Sequence, residues 1–397
     1  MPCDGRCPGC SHRGWDRLRS EKQKFDWVSA QFVSCFEGAI EALRTVRTES
    51  ERWGYRQKVC LRAAWDGSSW AFGFRLRSEL PGKFEFLPIR GCPVHCERIN
   101  RSVELLERVL PLPELLPLVF LVLSGTLLTF VVKSRNLAQP ARAALLAATG
   151  DLARLGITGV YVNLNPSAGN RVFSSHGWEK LWGEDRGVAE VRSGKLSEPL
   201  RVSYGPSSFQ QLLGELYADA LNEIRDFFLP GQQDSIVDAY SGVGTSMLLW
   251  RAARARFLGI ELSGEAVRCA EINLGAGACL QGRVSDRLPQ IDQWLAGRDF
   301  KLFVNPPRGG LEREVLAWTV ARRPAKVAYL SCNARTQTRD LSLLTGEGYA
   351  IRRIIPYDFF PQTHHVESLV LLERRVLNSD SDERSASRTR ALSGADG

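Results

Sequence analysis

A cysteine stands between a serine and an asparagine at Ser331-Cys332-Asn333, at the end of an apolar run that begins at Ala325. A structural cysteine would ordinarily lie inside such a run, so the placement points to a nucleophile, the role for which a thiolate is best suited. Near the C-terminus, Phe359-Phe360-Pro361-Gln362-Thr363-His364-His365-Val366-Glu367 precedes another apolar run, Ser368 to Leu372. Paired histidines beside a carboxylate could suggest a metal, but neighbours in sequence point apart and no third ligand is near. Glu367 reads better as a general base. Asn305-Pro306-Pro307-Arg308 sets an amide and two rigid prolines where a planar base could be held.

Upstream, Asp238-Ala-Tyr240-Ser241-Gly242-Val-Gly244-Thr245 is a turn in which Gly242 and Gly244 let the backbone pass close to a ligand. Glu261, one strand later, can accept both hydroxyl hydrogens of a ribose. A dinucleotide fingerprint wants a small residue three positions after the second glycine, and Met247 stands there instead. That disfavours a nicotinamide dinucleotide and favours S-adenosylmethionine.

These residues need elements that bring them together. The runs Ser235 to Tyr240, Arg256 to Glu261, Ala278 to Gln281, Lys301 to Asn305 and Ala325 to Ser331 are spaced as strands alternating with helices, after a long helical stretch from Phe209 to Phe228. The pattern predicts an open α/β sheet, whose ligands sit outside the carboxyl ends of the strands, where all the residues named above would fall. The first half reads differently. A helix carries Phe25, Val28, Phe32, Phe36, Ile40 and Leu43; from Lys58 short β-like runs are separated by Asp66-Gly67, Pro81-Gly82 and Ser124-Gly125. Helices are expected near Val94 to Leu110 and Ala141 to Leu155. The organisation predicted is an N-terminal and central mixed α+β domain over 1–204, a Rossmann-like domain over 205–376 and a disordered tail over 377–397, poor in residues that could be buried.

Composition sets outer limits. The 397 residues carry 52 Lys+Arg against 44 Asp+Glu, a net charge of +8 that suits an anionic partner without identifying one. Ten cysteines without a secretory leader point to a reducing, cytoplasmic setting in which thiols serve as ligands, nucleophiles or core residues. The uncharged stretch Leu115 to Val132 is long enough to cross a bilayer, yet Pro117 and Ser124-Gly125 interrupt it and a β-hairpin fits better. No membrane association is expected, and a monomer is.

Taken together, the residues resemble the RNA 5-methyluridine methyltransferase family. The matching pieces are Asp238 to Thr245, Glu261, Asn305 to Arg308, Leu330 to Leu341 (LSCNARTQTRDL), Asp358 to Glu367, and the Phe-x-Gln element Phe209 to Gln211. The likeness is close over about 205 to 375 and weak before that. It implies a class I methyltransferase fold acting on ribosomal or transfer RNA, with Cys332 adding to carbon 6 of a uridine and Glu367 removing the proton from carbon 5. It implies that Gln211, Tyr240, Ser241, Gly242, Gly244, Thr245, Glu261 and Asn305 hold S-adenosylmethionine, while Phe209, Gln211, Asn305 and Arg308 meet the flipped-out base. The family usually has Asp at the position of Asn305 and often Asn at that of Leu213. An RNA cytidine carbon-5 methyltransferase and an RNA-binding homologue with weakened catalysis therefore stay open as alternatives.

Cys3, Cys7 and Cys10 lie close in sequence, and Cys92 follows in Arg90-Gly-Cys-Pro93. Some members of the resembled family hold a 4Fe-4S cluster with three early cysteines and a distant one before a proline, and the layout here is similar. Four thiolates also make a closed zinc site, which is the alternative. The spacing of the first three matches that of radical S-adenosylmethionine enzymes as well, but nothing before Cys3 could form the strand that presents such a loop. Cys96 competes with Cys92 as fourth ligand, and Cys35, Cys60, Cys269 and Cys279 read as core.

Overall fold

Asp16 starts the first helix, α1 (Arg17–Phe32), by accepting a hydrogen bond from the Arg19 N–H at 2.7 Å, which satisfies one of the donors a helix start leaves unpaired. The structure, a computed structural model, describes residues 3–77, 83–169, 171–192, 198–209, 211 and 213–375. The expected tail and the Pro81-Gly82 turn lie outside those residues. The helix predicted to run on through Phe36, Ile40 and Leu43 ends at Phe32; those three side chains still pack on the core, from the irregular segment after the turn that follows.

The first sheet is built from β1 (Lys58–Trp65), β2 (Trp70–Arg77), β3 (Phe84–Pro88), β4 (Leu118–Ser124), β5 (Leu127–Val132), β6 (Gly159–Leu164) and β7 (Trp178–Gly183), in the spatial order β3-β2-β1-β4-β5-β6-β7. Its neighbours are antiparallel except β5 and β6. The uncharged stretch is the β4–β5 hairpin, closed at Ser124↔Leu127. No helix among the described residues is long and apolar enough to cross a membrane. Three helices cover this sheet: α2 (Glu97–Val109), α3 (Gln139–Ala147) and α4 (Thr149–Arg154). The helix predicted over Ala141 to Leu155 is thus split at Ala148. Apolar side chains of α2, α3 and α4 meet Leu61, Phe72, Leu121, Leu128, Phe130 and Val162 in one core.

A hairpin of β8 (Gly187–Val191) and β9 (Leu200–Tyr204) leads into the second half. There α5 (Gly214–Phe228) starts five residues later than the sequence suggested, leaving Phe209 and Gln211 in the segment before it. Strands and helices then alternate: β10 (Ser235–Ala239), α6 (Met247–Ala252), β11 (Arg256–Glu261), α7 (Gly264–Leu274), β12 (Cys279–Gln281), α8 (Val284–Leu295), β13 (Lys301–Val304), α9 (Arg313–Arg322), β14 (Lys326–Ser331) and α10 (Ala334–Gly346). The chain finishes with the antiparallel pair β15 (Tyr349–Tyr357) and β16 (Glu367–Arg374). The strand order is β12-β11-β10-β13-β14-β16-β15, with β16 slotted antiparallel beside β14. The predicted open α/β sheet with a class I methyltransferase layout is borne out. Strand β10 is buried at every residue, as a parallel strand covered on both faces must be.

Helix α1 belongs to the packing of this second sheet. Val28 and Phe32 sit in its core with Leu341 and Leu344 of α10, and Thr338 Oγ1 donates to the Gln31 carbonyl at 3.2 Å. The Nζ of Lys24, fully buried, meets Asp358 Oδ1 at 2.5 Å and donates to the Phe360 carbonyl at 3.0 Å. The start of the chain thereby grips the loop between β15 and β16.

Candidate active site

The expected residues converge because parallel strands all deliver their trailing loops to one edge of the sheet. Strand β10 is followed by Tyr240 with φ +64°, a left-handed conformation that costs a non-glycine residue energy and is held by its surroundings. Gly242 (φ +56°) and Gly244 (φ +85°) continue the turn, and around Gly242 no atom lies within 4 Å of where a Cβ would be. The backbone there is bare toward the crevice. Glu261 closes the turn from β11: one carboxylate oxygen accepts from the Gly242 N–H at 3.0 Å and the other from the Ser263 N–H at 2.7 Å. Each oxygen keeps a lone pair for a further donor, so the carboxylate is oriented without being used up. Ser241 bonds Cys279 across the same turn, at 3.5 Å between Oγ and Sγ.

Asn305 follows β13 and is tied to β10 by its N–H, 3.4 Å from the Ala239 carbonyl. Its side chain has no partner among the described residues. The loop beyond it is braced on the start of α10: the Arg308 carbonyl accepts from Asn333 Nδ2 at 3.0 Å and Thr336 Oγ1 at 3.2 Å. Cys332 stands one residue past β14 and Glu367 opens β16; the pair Ser331↔Ser368 sets them across from each other. Gln337, buried on α10, locks this register by donating to the carbonyls of Tyr329 and Ser368 and accepting from Ser368 Oγ at 2.5 Å.

Burial pushes the Glu367 carboxyl up to about 8. The Cys332 thiol is also raised, first by burial and then by the Glu367 charge, while Arg308 pulls the other way. A buried carboxyl, a thiol and a guanidinium therefore share one corner of the crevice. Phe209 is 67% exposed, and Gln211 has its side-chain oxygen buried without a partner. Neither is hydrogen-bonded through its side chain to the strand-end residues.

The thiols near the start form a second site. Cys3, Cys7, Cys10 and Cys92 line one cavity together with Arg56, Phe74 and Gln362, and Cys96 lies outside the lining. Burial, followed by the neighbouring thiols, pushes Cys10 up to about 11; Cys7 is raised for the same first reason. No group of three or more His, Cys, Asp or Glu among the described residues is gathered closely enough to hold a metal ion. Of the cysteines read as core, Cys269 and Cys279 are buried and Cys35 is half-buried, but Cys60 is exposed on β1. The strand's alternation points it away from the core side that holds Val59 and Leu61.

Sequence reasoning gave no role to Gln337, Asp358, Lys24 or Gln362. Gln337 could have been suspected, as an amide at a helix position facing the sheet. Lys24 carried no such signal, because its partner is 334 residues away.

The second sheet has the fold of a Rossmann-like methyltransferase domain. Residues 276–375 match the family model described as tRNA (Uracil-5-)-methyltransferase. The chain is 29% identical over 395 residues to an uncharacterized RNA methyltransferase of Thermosynechococcus vestitus, covering 92% of this chain and 82% of the relative. It is 36% identical over 259 residues to one of Gloeobacter violaceus, covering 62% of this chain and 52% of that one. A third, from Bacteroides thetaiotaomicron, is 35% identical over 184 residues, and the match spans only 40% of its length. Among solved structures, the Pyrococcus abyssi tRNA (uracil-54, C5)-methyltransferase in complex with S-adenosyl-L-homocysteine is similar in fold, with a TM-score of 0.69, 19% identity, and coverage of 94% of this chain and 87% of that one. The chain is thus similar to RNA methyltransferases over most of its length and, over residues 276–375, to the tRNA (Uracil-5-)-methyltransferase family.

Proposed function

We propose that this chain methylates carbon 5 of a uridine in ribosomal or transfer RNA through a covalent adduct on Cys332. One observation carries the reading: a thiol and a buried, proton-holding carboxyl stand across from each other at adjacent strand ends, beside a crevice suited to a nucleoside. S-adenosylmethionine supplies the methyl group, with its ribose on Glu261 and its chain along Gly242 and Gly244; the bare backbone at Gly242 and the oriented carboxylate fit it. Gln211 and Asn305 have side-chain groups left for the base edge.

Uridine carbon 5 is a poor nucleophile. The Cys332 thiolate, favoured by Arg308, adds to carbon 6, and the electron pair displaced toward carbon 5 takes the methyl group as the sulfonium leaves with its bonding pair. Glu367, as carboxylate, then accepts the carbon 5 proton; the electrons of that bond restore the ring double bond as sulfur departs from carbon 6. A carboxylate made more basic by burial is well matched to this step. Asn305 offers both a donor and an acceptor, which keeps a cytidine target as the second reading.

RNA bearing 5-fluorouridine at the target should become covalently attached to Cys332, because fluorine cannot be removed as a proton. Cys332→Ala should abolish the adduct and lower turnover by roughly four orders of magnitude or more. Glu367→Gln should trap the adduct on ordinary RNA. Absence of any adduct with modified RNA and cofactor present would end the covalent reading.

The second site is proposed to hold a 4Fe-4S cluster on Cys3, Cys7, Cys10 and Cys92. The support is that all four thiols line one cavity; they are not gathered to metal-ligand distance in this structure, so the reading requires them to draw together around the cluster. Anaerobically purified protein should carry iron and sulfide in about equal amounts. Replacing Cys92 should remove them and replacing Cys96 should not; zinc without iron would favour the other metal.

A further inference from the structure

A large cleft opens where the two sheets' domains meet, on the β12 side of the crevice. From the second domain it is walled by Ser263, Gly264, Glu265, Arg268 and Gln281, and from the first by Tyr161, Arg171, Phe173, Trp178 and Arg186. We infer that this cleft binds the sugar-phosphate backbone and stacked bases of the RNA that flanks the target nucleotide. The inference rests on the RNA-methylation reading and adds to it a place for the flanking strand.

The charges argue for an anion. Arg171 and Arg268 are exposed, and their guanidinium groups make no hydrogen bond or ion pair with any described residue. Arg186 donates only to Cys269 Sγ, at 3.4 Å, and feels the charge of Asp185. The two carboxylates in the wall are engaged elsewhere. Asp185 is paired with Lys180, and Glu265 accepts from the Ser207 N–H at 3.0 Å and from its hydroxyl. Three guanidiniums thus face one cleft, none of them in an ion pair with a carboxylate of the described residues.

The aromatic groups narrow the anion to nucleic acid. Phe173 and Trp178 lie with ring centroids 5.0 Å apart at 40°, and Tyr161 meets Trp178 edge-on at 6.5 Å. Both Phe173 and Trp178 are half-buried, held by their neighbours with part of each ring toward the cleft. Aromatic faces interleaved with free guanidiniums suit single-stranded RNA, whose bases stack while its phosphates pair. The cleft meets the cofactor crevice at Ser263, the residue whose N–H bonds Glu261. Cys332 and Glu367 stand across the strand ends at β14 and β16, so an RNA strand reaches the cleft by running along that edge of the sheet from the target base.

The test compares the full-length protein with an Arg171→Ala/Arg268→Ala double variant, using a fluorescein-labelled single-stranded oligouridylate and total transfer RNA as probes. Affinity is measured over a series of salt concentrations. Each lost phosphate contact should flatten the slope of log affinity against log salt by about 0.7, so the double variant should lose about 1.4. Trp178→Ala should weaken binding roughly tenfold with the slope unchanged. Arg101→Ala/Arg108→Ala, on the distant helix α2, should change neither. S-adenosylmethionine affinity should be the same in all the variants. An unaltered slope and affinity in the Arg171/Arg268 variant, with the wild type binding RNA, would overturn the cleft assignment alone. A parallel loss of S-adenosylmethionine affinity would make the cleft part of the cofactor site and overturn it too. Failure of the wild type to bind either RNA would overturn the cleft together with the RNA reading, which the 5-fluorouridine adduct tests separately.

Discussion

The two thiol sites of this molecule differ in what surrounds the sulfur. At the crevice a single thiol faces one guanidinium and one carboxyl, so its proton can be exchanged with a defined neighbour. In the N-terminal cavity four thiols share one lining with apolar side chains and with Arg13 and Arg56, and burial is the largest influence that pushes Cys10 up to about 11. The proposed roles follow the contrast: a nucleophile where one thiol stands with a carboxyl and a guanidinium, and ligands where several thiols share a cavity. The segment from Asp358 to Glu367 joins the two sites: Glu367 lies at one, while Gln362 lines the other and its carbonyl accepts from the His12 N–H at 3.1 Å. His364 adds a second tie, its N–H donating to Ser11 Oγ at 2.8 Å.

The sharpest way to break this pairing is to release the joining segment. Lys24→Met leaves Asp358 buried without its cation, and removing one partner of such a pair should destabilise the protein by about 3–5 kcal/mol in denaturant unfolding. If the strap connects the sites, the variant should also lose turnover under conditions where it remains folded. Unchanged stability would mean that the pair does not hold the strap.

At the crevice end, the test is the pH dependence of stability. The folded carboxyl of Glu367 holds its proton to about 8, while the unfolded one releases it near 4.5. Between those values the native state binds the extra proton, so this group's contribution is present in full below pH 4.5 and is lost as pH rises toward 8. Glu367→Gln should remove the loss and be more stable than wild type by on the order of 3 kcal/mol near pH 7, with no difference near pH 4. Parallel pH profiles for the two proteins would show that the carboxyl is not held protonated.

Glu261→Ala probes the far end of the crevice, away from the strap. It should weaken S-adenosylmethionine binding by about 1–3 kcal/mol in calorimetry and leave any iron content unchanged. Loss of iron in this variant would blur the separation between the two sites.

The second half was legible in the sequence because the chemistry sits just after apolar runs. Four strand ends and their residues could be placed from order alone, and β10, β11 and β13 begin at the expected residues. Less could be read where contacts are distant or the pattern is shared. The edge strand β15 follows a glycine-rich helix end, and Arg352 and Arg353 interrupt its apolar run, so it gave no clear period. The docking of α1 on α10 was invisible, since Val28 and Phe32 would look the same packed on either sheet. The cavity thiols could be grouped by their spacing, but not the Gln362 that joins them to the strap.

The grip of α1 on the loop after β15 also bears on the order of synthesis. Lys24 leaves the ribosome more than 300 residues before Asp358, and Ser20 waits still longer for the Pro361 carbonyl, 341 residues on. The first sheet can close from local hairpins in the meantime, but α1 has no surface to pack on until α10 emerges. Contacts so distant are slow to form and leave apolar side chains uncovered while they wait. The α1 segment is thus made long before its partners and secured last, and its docking completes the strap that carries Glu367.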